Sequence, residues 1–104
     1  MSASIGKRRR ALRALAHPLK PAVLIGQRGL TAAALRQVDT ALADHELIKV
    51  KLSADCPAER HEAGETLVAE LGCELAGIVG RVLVLYRPHP EKPRIESKLP
   101  AVRA

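Results

Sequence analysis

The amino-acid sequence predicts an α/β domain of the two-layer α+β kind, in the order α-β-α-β-α-β-β, with helices packed on a mixed four-stranded sheet. Three observations carry this. Ile48, Val50 and Leu52 alternate with Lys49 and Lys51, the period of a strand with one buried face. Leu35, Val38 and Leu42 recur at helical spacing between Ala32 and His45. The apolar run Val82-Leu83-Val84-Leu85-Tyr86 behind Gly80-Arg81 reads as the second arm of a hairpin inside the sheet, with part of each face covered. At 104 residues the chain holds one core, not two.

A first helix is expected over residues 4–17, capped by Ser4, striped by Ile5, Leu12, Leu15 and Ala16, and ended by Pro18. Ala22–Ile25 is a short apolar strand expected to be buried on both faces. The helix over 32–45 follows, then the strand Leu47–Leu52. A third helix is expected from Ala54 to Gly72, capped by Asp55 or Cys56, with Pro57 in its first turn and Ala63, Leu67, Val68 and Leu71 facing the core. Gly64 reads as a weak point in it, costing about 1 kcal/mol relative to alanine. Strands near 74–79 and 82–87 complete the sheet. Two crossover helices should cover one face through right-handed connections, leaving the first helix for the side or the other face. The domain is expected to span 4–88. Residues 89–104, proline-containing and basic, are expected to form a flexible tail.

The stretch with chemical character is Leu24-Ile25-Gly26-Gln27-Arg28-Gly29-Leu30-Thr31, an apolar strand entering a helix through a glycine-bounded loop. Glycines reach backbone angles closed to other residues and let a partner approach the main chain. Gln27 and Arg28 occupy the tip, and a guanidinium grips a phosphate from two directions. Thr31 is placed to cap the following helix, with Leu30 and Leu35 at the positions of a hydrophobic staple. Free N–H groups and the positive end of the helix dipole then lie beside Arg28, an arrangement suited to an anion. A Gly-x-x-Gly pair alone also fits an ordinary tight turn.

Charge favours the anion. The formal net charge is +6, and eight basic residues, including Arg9, Arg10, Arg13, Lys20 and Arg28, precede the first acid, Asp39. Glu59, Glu62, Glu65, Glu70 and Glu74 cluster later in the chain. One basic surface facing a polyanion and an acidic one facing water would follow. Lys49 and Lys51 stand on the uncovered side of their strand, either in water or against RNA. Phe and Trp are absent and Tyr86 is the only Tyr, so stacking of unpaired bases cannot dominate, and backbone contact to folded RNA is the natural use of such a surface.

Other chemistries find little support. The serines lie in no nucleophile-elbow pattern, the histidines lack metal spacing, and the loop is neither a Walker motif nor a dinucleotide fingerprint. No enzymatic activity, cofactor or small-molecule substrate is expected. Cys56 and Cys73 are expected to be reduced thiols. No apolar run approaches the roughly 20 residues that span a membrane. Arg13 interrupts the apolar run that a signal segment would need, so a cytoplasmic address is expected.

Four blocks match a known family: Leu15-Ala16-His17-Pro18-Leu19-Lys20-Pro21, Val23 to Thr31, His45-Glu46-Leu47-Ile48-Lys49-Val50-Lys51, and Gly80 to Pro88. Together, over about residues 7–88, they closely resemble the CRM domain (chloroplast RNA splicing and ribosome maturation) in its stand-alone bacterial YhbY-type form. The resemblance implies a fold related to the C-terminal domain of translation initiation factor three. It also implies RNA binding and association with precursor 23S rRNA in large ribosomal subunit precursors. By the same resemblance Gly26, Gln27, Arg28 and Gly29 are the expected RNA contact. The residues themselves suggest Thr31, Lys20, Lys49, Lys51, Arg9, Arg10 and Arg13 in support. Two rivals stay open: an adaptor that docks its basic face on an acidic protein, and nucleotide binding at the glycine loop.

Overall fold

The computed structural model describes residues 2–100, so the end of the expected tail, with Arg103, lies outside the described residues. The elements are α1 (Ser2–Ala16), β1 (Val23–Ile25), α2 (Ala32–His45), β2 (Leu47–Leu52), α3 (Arg60–Leu71), β3 (Glu74–Val79) and β4 (Val82–Tyr86), followed by a 3₁₀ turn, Glu96–Lys98. The sheet runs β1-β2-β4-β3. β1 is parallel to β2, while β4 is antiparallel to both β2 and β3. The crossover through α2 therefore joins neighbours, and that through α3 leaves a gap that β4 fills.

Each face has its own apolar cluster. Val38 and Leu42 of α2 and Leu67 of α3 pack on Ile25, Val50, Leu83 and Leu85. On the opposite face Leu12 and Ala16 of α1 meet Leu47, Ala76, Val84 and Tyr86. The first helix thus takes the other face and adds a partial layer there. It covers only the end of the sheet where β2 begins and β4 finishes. That limit matters for β1, which is an edge strand with Leu24 62 % exposed, not a strand buried on both faces.

Two helix starts differ from expectation. α1 already includes Ser2, so Ser4 lies inside it. α3 begins at Arg60, not near Ala54, because residues 53–56 close a turn of their own, Cys56 N–H donating to the Ser53 carbonyl at 3.0 Å. Asp55 accepts from the Ser53 hydroxyl, and the cap is Glu59, whose carboxylate accepts the N–H groups of His61 and Glu62. Gly72, at φ 62°, ends the helix in the left-handed conformation. Gly64 has a purpose that its propensity hides: an added Cβ would lie 2.8 Å from Leu75 Cδ2, so the missing side chain lets α3 sit close on β3.

Residues 89–99 fold back on the domain. Glu46, wholly buried, accepts the backbone N–H of His89 at 2.6 Å and of Arg94 at 3.0 Å. Ile95 and Leu99 pack against the α1 cluster, and Glu96 accepts the Tyr86 hydroxyl at 3.0 Å.

Candidate functional site

The Gly26–Gly29 loop is a tight turn closed by the Gly29 N–H donating to the Gly26 carbonyl at 3.0 Å. Gly29 has φ +71°, a conformation that side-chain-bearing residues rarely adopt. It is also crowded, since a Cβ there would lie 3.2 Å from Pro57 Cγ. Pro57 therefore buttresses the loop instead of opening α3. Gly26 differs: its φ is ordinary, and an added Cβ would meet only Ser53 Oγ, at 4.0 Å.

Thr31 caps α2 as its residue type suggests, its hydroxyl accepting the Ala34 N–H at 3.1 Å. Leu30 and Leu35 both pack against the core. Among the described residues, the N–H groups of Gln27 and Arg28 donate to no backbone carbonyl or side chain. Both side chains are exposed. Free donors, a helix N-terminus and a guanidinium thus converge at one corner of the molecule.

The remaining predicted contacts divide. Lys51 is exposed and paired in register with Leu24 on one side and Val82 on the other, on the part of the sheet that α1 leaves open. Lys49 is half-buried, its Nζ donating to the His17 carbonyl at 2.9 Å, which ties β2 to the end of α1. Lys20 is exposed just before β1. Arg13 lies across β3, donating to the Ala76 carbonyl at 2.8 Å, over Gly77, where a Cβ would come 2.5 Å from Arg13 Cδ. Arg9 and Arg10 are exposed, and Arg9 lines a concavity with Val68, Cys73 and Glu74, at the β3 edge away from the loop. The structure brings Lys51 to the open face reached from the loop; Arg9 stands at the far edge.

Arg8 has an internal role. It makes a two-pronged contact with Glu74, at 2.7 and 3.0 Å, pairs with Glu96, and stands 5.6 Å from the Tyr86 ring centroid. Its pKa rises through hydrogen bonds to Glu74 first and Glu96 second. Burial, then the Glu96 contact, pushes the Tyr86 hydroxyl upward as well. Tyr86 is fully buried and offers no surface for stacking.

Two basic residues near the loop escaped the sequence reading. The Arg81 carbonyl accepts the Leu52 N–H at 2.8 Å, placing the hairpin tip at the end of the sheet where β1 gives way to Gly26. Arg60 donates to the Gly80 carbonyl at 2.9 Å and fixes that tip. The antiparallel pairing of β2 with β4 is the signal that brings them there, and local pattern does not reveal which strands pair.

Fold and site together define a small α/β module that presents a glycine-bounded loop beside a helix N-terminus, with basic side chains around it. The chain belongs to the CRS1 / YhbY (CRM) domain family, whose model matches residues 5–87. It is 38% identical over 85 residues to a Haemophilus influenzae protein named RNA-binding protein, covering 82% of this chain and 86% of that one. It is 34% identical over 91 residues to the Bacillus subtilis protein named Probable RNA-binding protein YqeI, covering 88% and 95%. The solution structure of the hypothetical protein SAV1595 from Staphylococcus aureus superposes with a TM-score of 0.76 at 36% identity, covering 91% of this chain and 97% of that one.

Proposed function

We propose that this protein binds folded RNA through the Gly26–Gly29 loop and acts without catalysis in assembly of the large ribosomal subunit in the cytoplasm, on precursor 23S rRNA. The observation that carries the reading is the loop itself: free N–H groups of Gln27 and Arg28 beside an exposed guanidinium at the start of α2. The ordinary φ and open surroundings of Gly26 add to it, because nothing inside the protein requires a glycine there. Close approach of an RNA backbone to the main chain would. Support for RNA as the partner comes from the names of the relatives. Lys20, Lys51 and Arg81 extend the contact to further phosphates, while Arg9 and Arg10 reach only an RNA that wraps onto α1.

Gradient sedimentation of a cell lysate tests the assembly role. The wild type is expected to travel with large-subunit precursors at low salt, and a Gln27→Glu/Arg28→Glu variant of intact fold to stay at the top. If about six phosphates are engaged, affinity for RNA falls roughly a thousandfold between about 50 and 200 mM salt. A wild type that stays at the top even at low salt removes the ribosomal reading. A partner that stays bound after nuclease digestion would favour an acidic protein instead.

A further inference from the structure

Three concavities join end to end along the outer edge of β1. The first, about 310 Å³, is formed by the Gly26–Gly29 loop and the start of α2. It shares Leu24, Ala33 and Gln37 with the second, about 620 Å³, which runs between β1 and α2. The second shares Ala22 and His45 with the third, about 480 Å³, which has an apolar lining of Leu15, Leu47, Ile48 and Ile95. β1 ends the sheet, so no strand covers this side. Arg28, Arg36, Lys20, His45 and Lys98 line the track, against a single acid, Asp44.

We infer that this groove holds an unpaired run of RNA leaving the Gly26–Gly29 loop, its phosphates beside Arg36 and Lys20 and a base seated in the apolar end between α1 and Ile95. The inference rests on the RNA reading of the loop and adds a substrate class, a folded RNA flanked by a single-stranded segment. Continuity with the loop and the one-sided charge select a polyanion. A peptide strand fits less well, because β1 offers only three residues of edge to pair with. Aliphatic walls suit a base held by apolar contact and edge hydrogen bonds instead of stacking, in keeping with a chain whose one tyrosine is buried. Ile95 and Lys98 belong to the segment that Glu46 draws back onto the domain, so that segment completes the pocket.

The test compares affinities for a hairpin RNA of about ten base pairs, blunt or carrying about five unpaired uridines at either end, by fluorescence anisotropy. For the wild type the overhang is expected to tighten binding at least about tenfold. Arg36→Glu/Lys98→Glu should lose that gain yet hold the blunt hairpin within about threefold. Lys7→Glu/Lys92→Glu, with the same change of charge outside the groove, should keep the gain. Both variants alter exposed side chains, and circular dichroism checks their fold. Equal wild-type affinity for blunt and tailed hairpins overturns the groove and leaves the loop standing, as does a gain that survives Arg36→Glu/Lys98→Glu or is lost equally in Lys7→Glu/Lys92→Glu. A wild type that binds neither hairpin counts against RNA recognition itself.

Discussion

The carboxylate of Glu46, in the one-residue junction between α2 and β2, accepts the backbone N–H of Arg94 at 3.0 Å, joining two points 48 residues apart. Glu46 is fully buried and has φ 66°, positive for a residue that carries a side chain. Its own N–H closes α2 on the Leu42 carbonyl at 2.9 Å, while its carboxylate also accepts from His89. A single residue therefore ends a helix, turns the chain and holds the C-terminal segment. Glu46→Ala leaves two backbone donors short of a partner and is expected to cost about 1–3 kcal/mol. Trypsin should then cut faster after Arg94 and Lys98. An unchanged melting temperature with an unchanged digestion pattern would refute this role.

Gly26 and Gly29 bound the same loop but should respond differently to alanine. At Gly29 both the positive φ and the 3.2 Å approach to Pro57 oppose a Cβ. Gly29→Ala is expected to lose about 1–2 kcal/mol of stability, the cost of the left-handed conformation. Gly26→Ala should leave stability within about 0.5 kcal/mol, since a methyl group there meets only open space and a distant Ser53 hydroxyl. Its RNA affinity should nevertheless fall. A Gly26→Ala protein that melts like the wild type and binds RNA as tightly would place the contact elsewhere.

Glu59 makes the stability of α3 acid-sensitive. The His61 N–H, then the His61 ring, hold its carboxyl at about 2, below the ordinary 4.5. Burial works against the charge on Glu46, but hydrogen bonds from His89 and Arg94 prevail and lower its pKa as well. Both groups take up a proton more readily in the unfolded chain. The contribution of Glu59 is complete above about pH 5 and is lost as pH falls through 4.5 toward 2, and that of Glu46 is likewise lost on acidification. Urea midpoints measured from about pH 6 down to 2 should fall, and fall less for Glu59→Gln, which has no carboxylate to protonate. Parallel curves for the two proteins would show that the cap contributes nothing to this dependence.

What was legible in the chain was local. Thr31, the spacing of Leu35, Val38 and Leu42, and the alternation around Val50 each act within one or two turns, and α2 and β2 occur where those patterns put them. Pro57 misled because a proline just after a cap candidate such as Asp55 reads as the first turn of a helix, whereas its ring is used against Gly29, in another loop. Glu46 stands between helix and strand in the sequence with no local pattern around it. It becomes an interior anchor only once residues 89–95 close over it, and a proline-rich charged run offers no sign of that. The loop of the candidate site was visible for the same reason as α2, since its glycines, Arg28 and Thr31 are contiguous. Arg81 and Arg60 were not, because strand pairing brings them there.

The four basic residues of Lys7-Arg8-Arg9-Arg10 look equivalent in sequence, yet only one should matter to folding. The Arg8 side chain is 13% exposed and serves Glu74 and Glu96 at once, with the Tyr86 ring alongside. Both carboxylates remain about 40% exposed, so water would compensate part of their loss. Arg8→Ala is accordingly expected to cost roughly 1–3 kcal/mol, less than a fully buried pair. Arg9→Ala, one residue on and facing solvent, should stay within about 0.5 kcal/mol. Denaturant titration of the two variants decides the matter. Because Glu96 also accepts the Tyr86 hydroxyl, a destabilised Arg8→Ala should show the tyrosine becoming more accessible to solvent before global unfolding, as the 3₁₀ turn at Glu96–Lys98 detaches. Equal stabilities for the two variants would mean that the Glu74–Arg8–Glu96 cluster does not hold the C-terminal segment against α1.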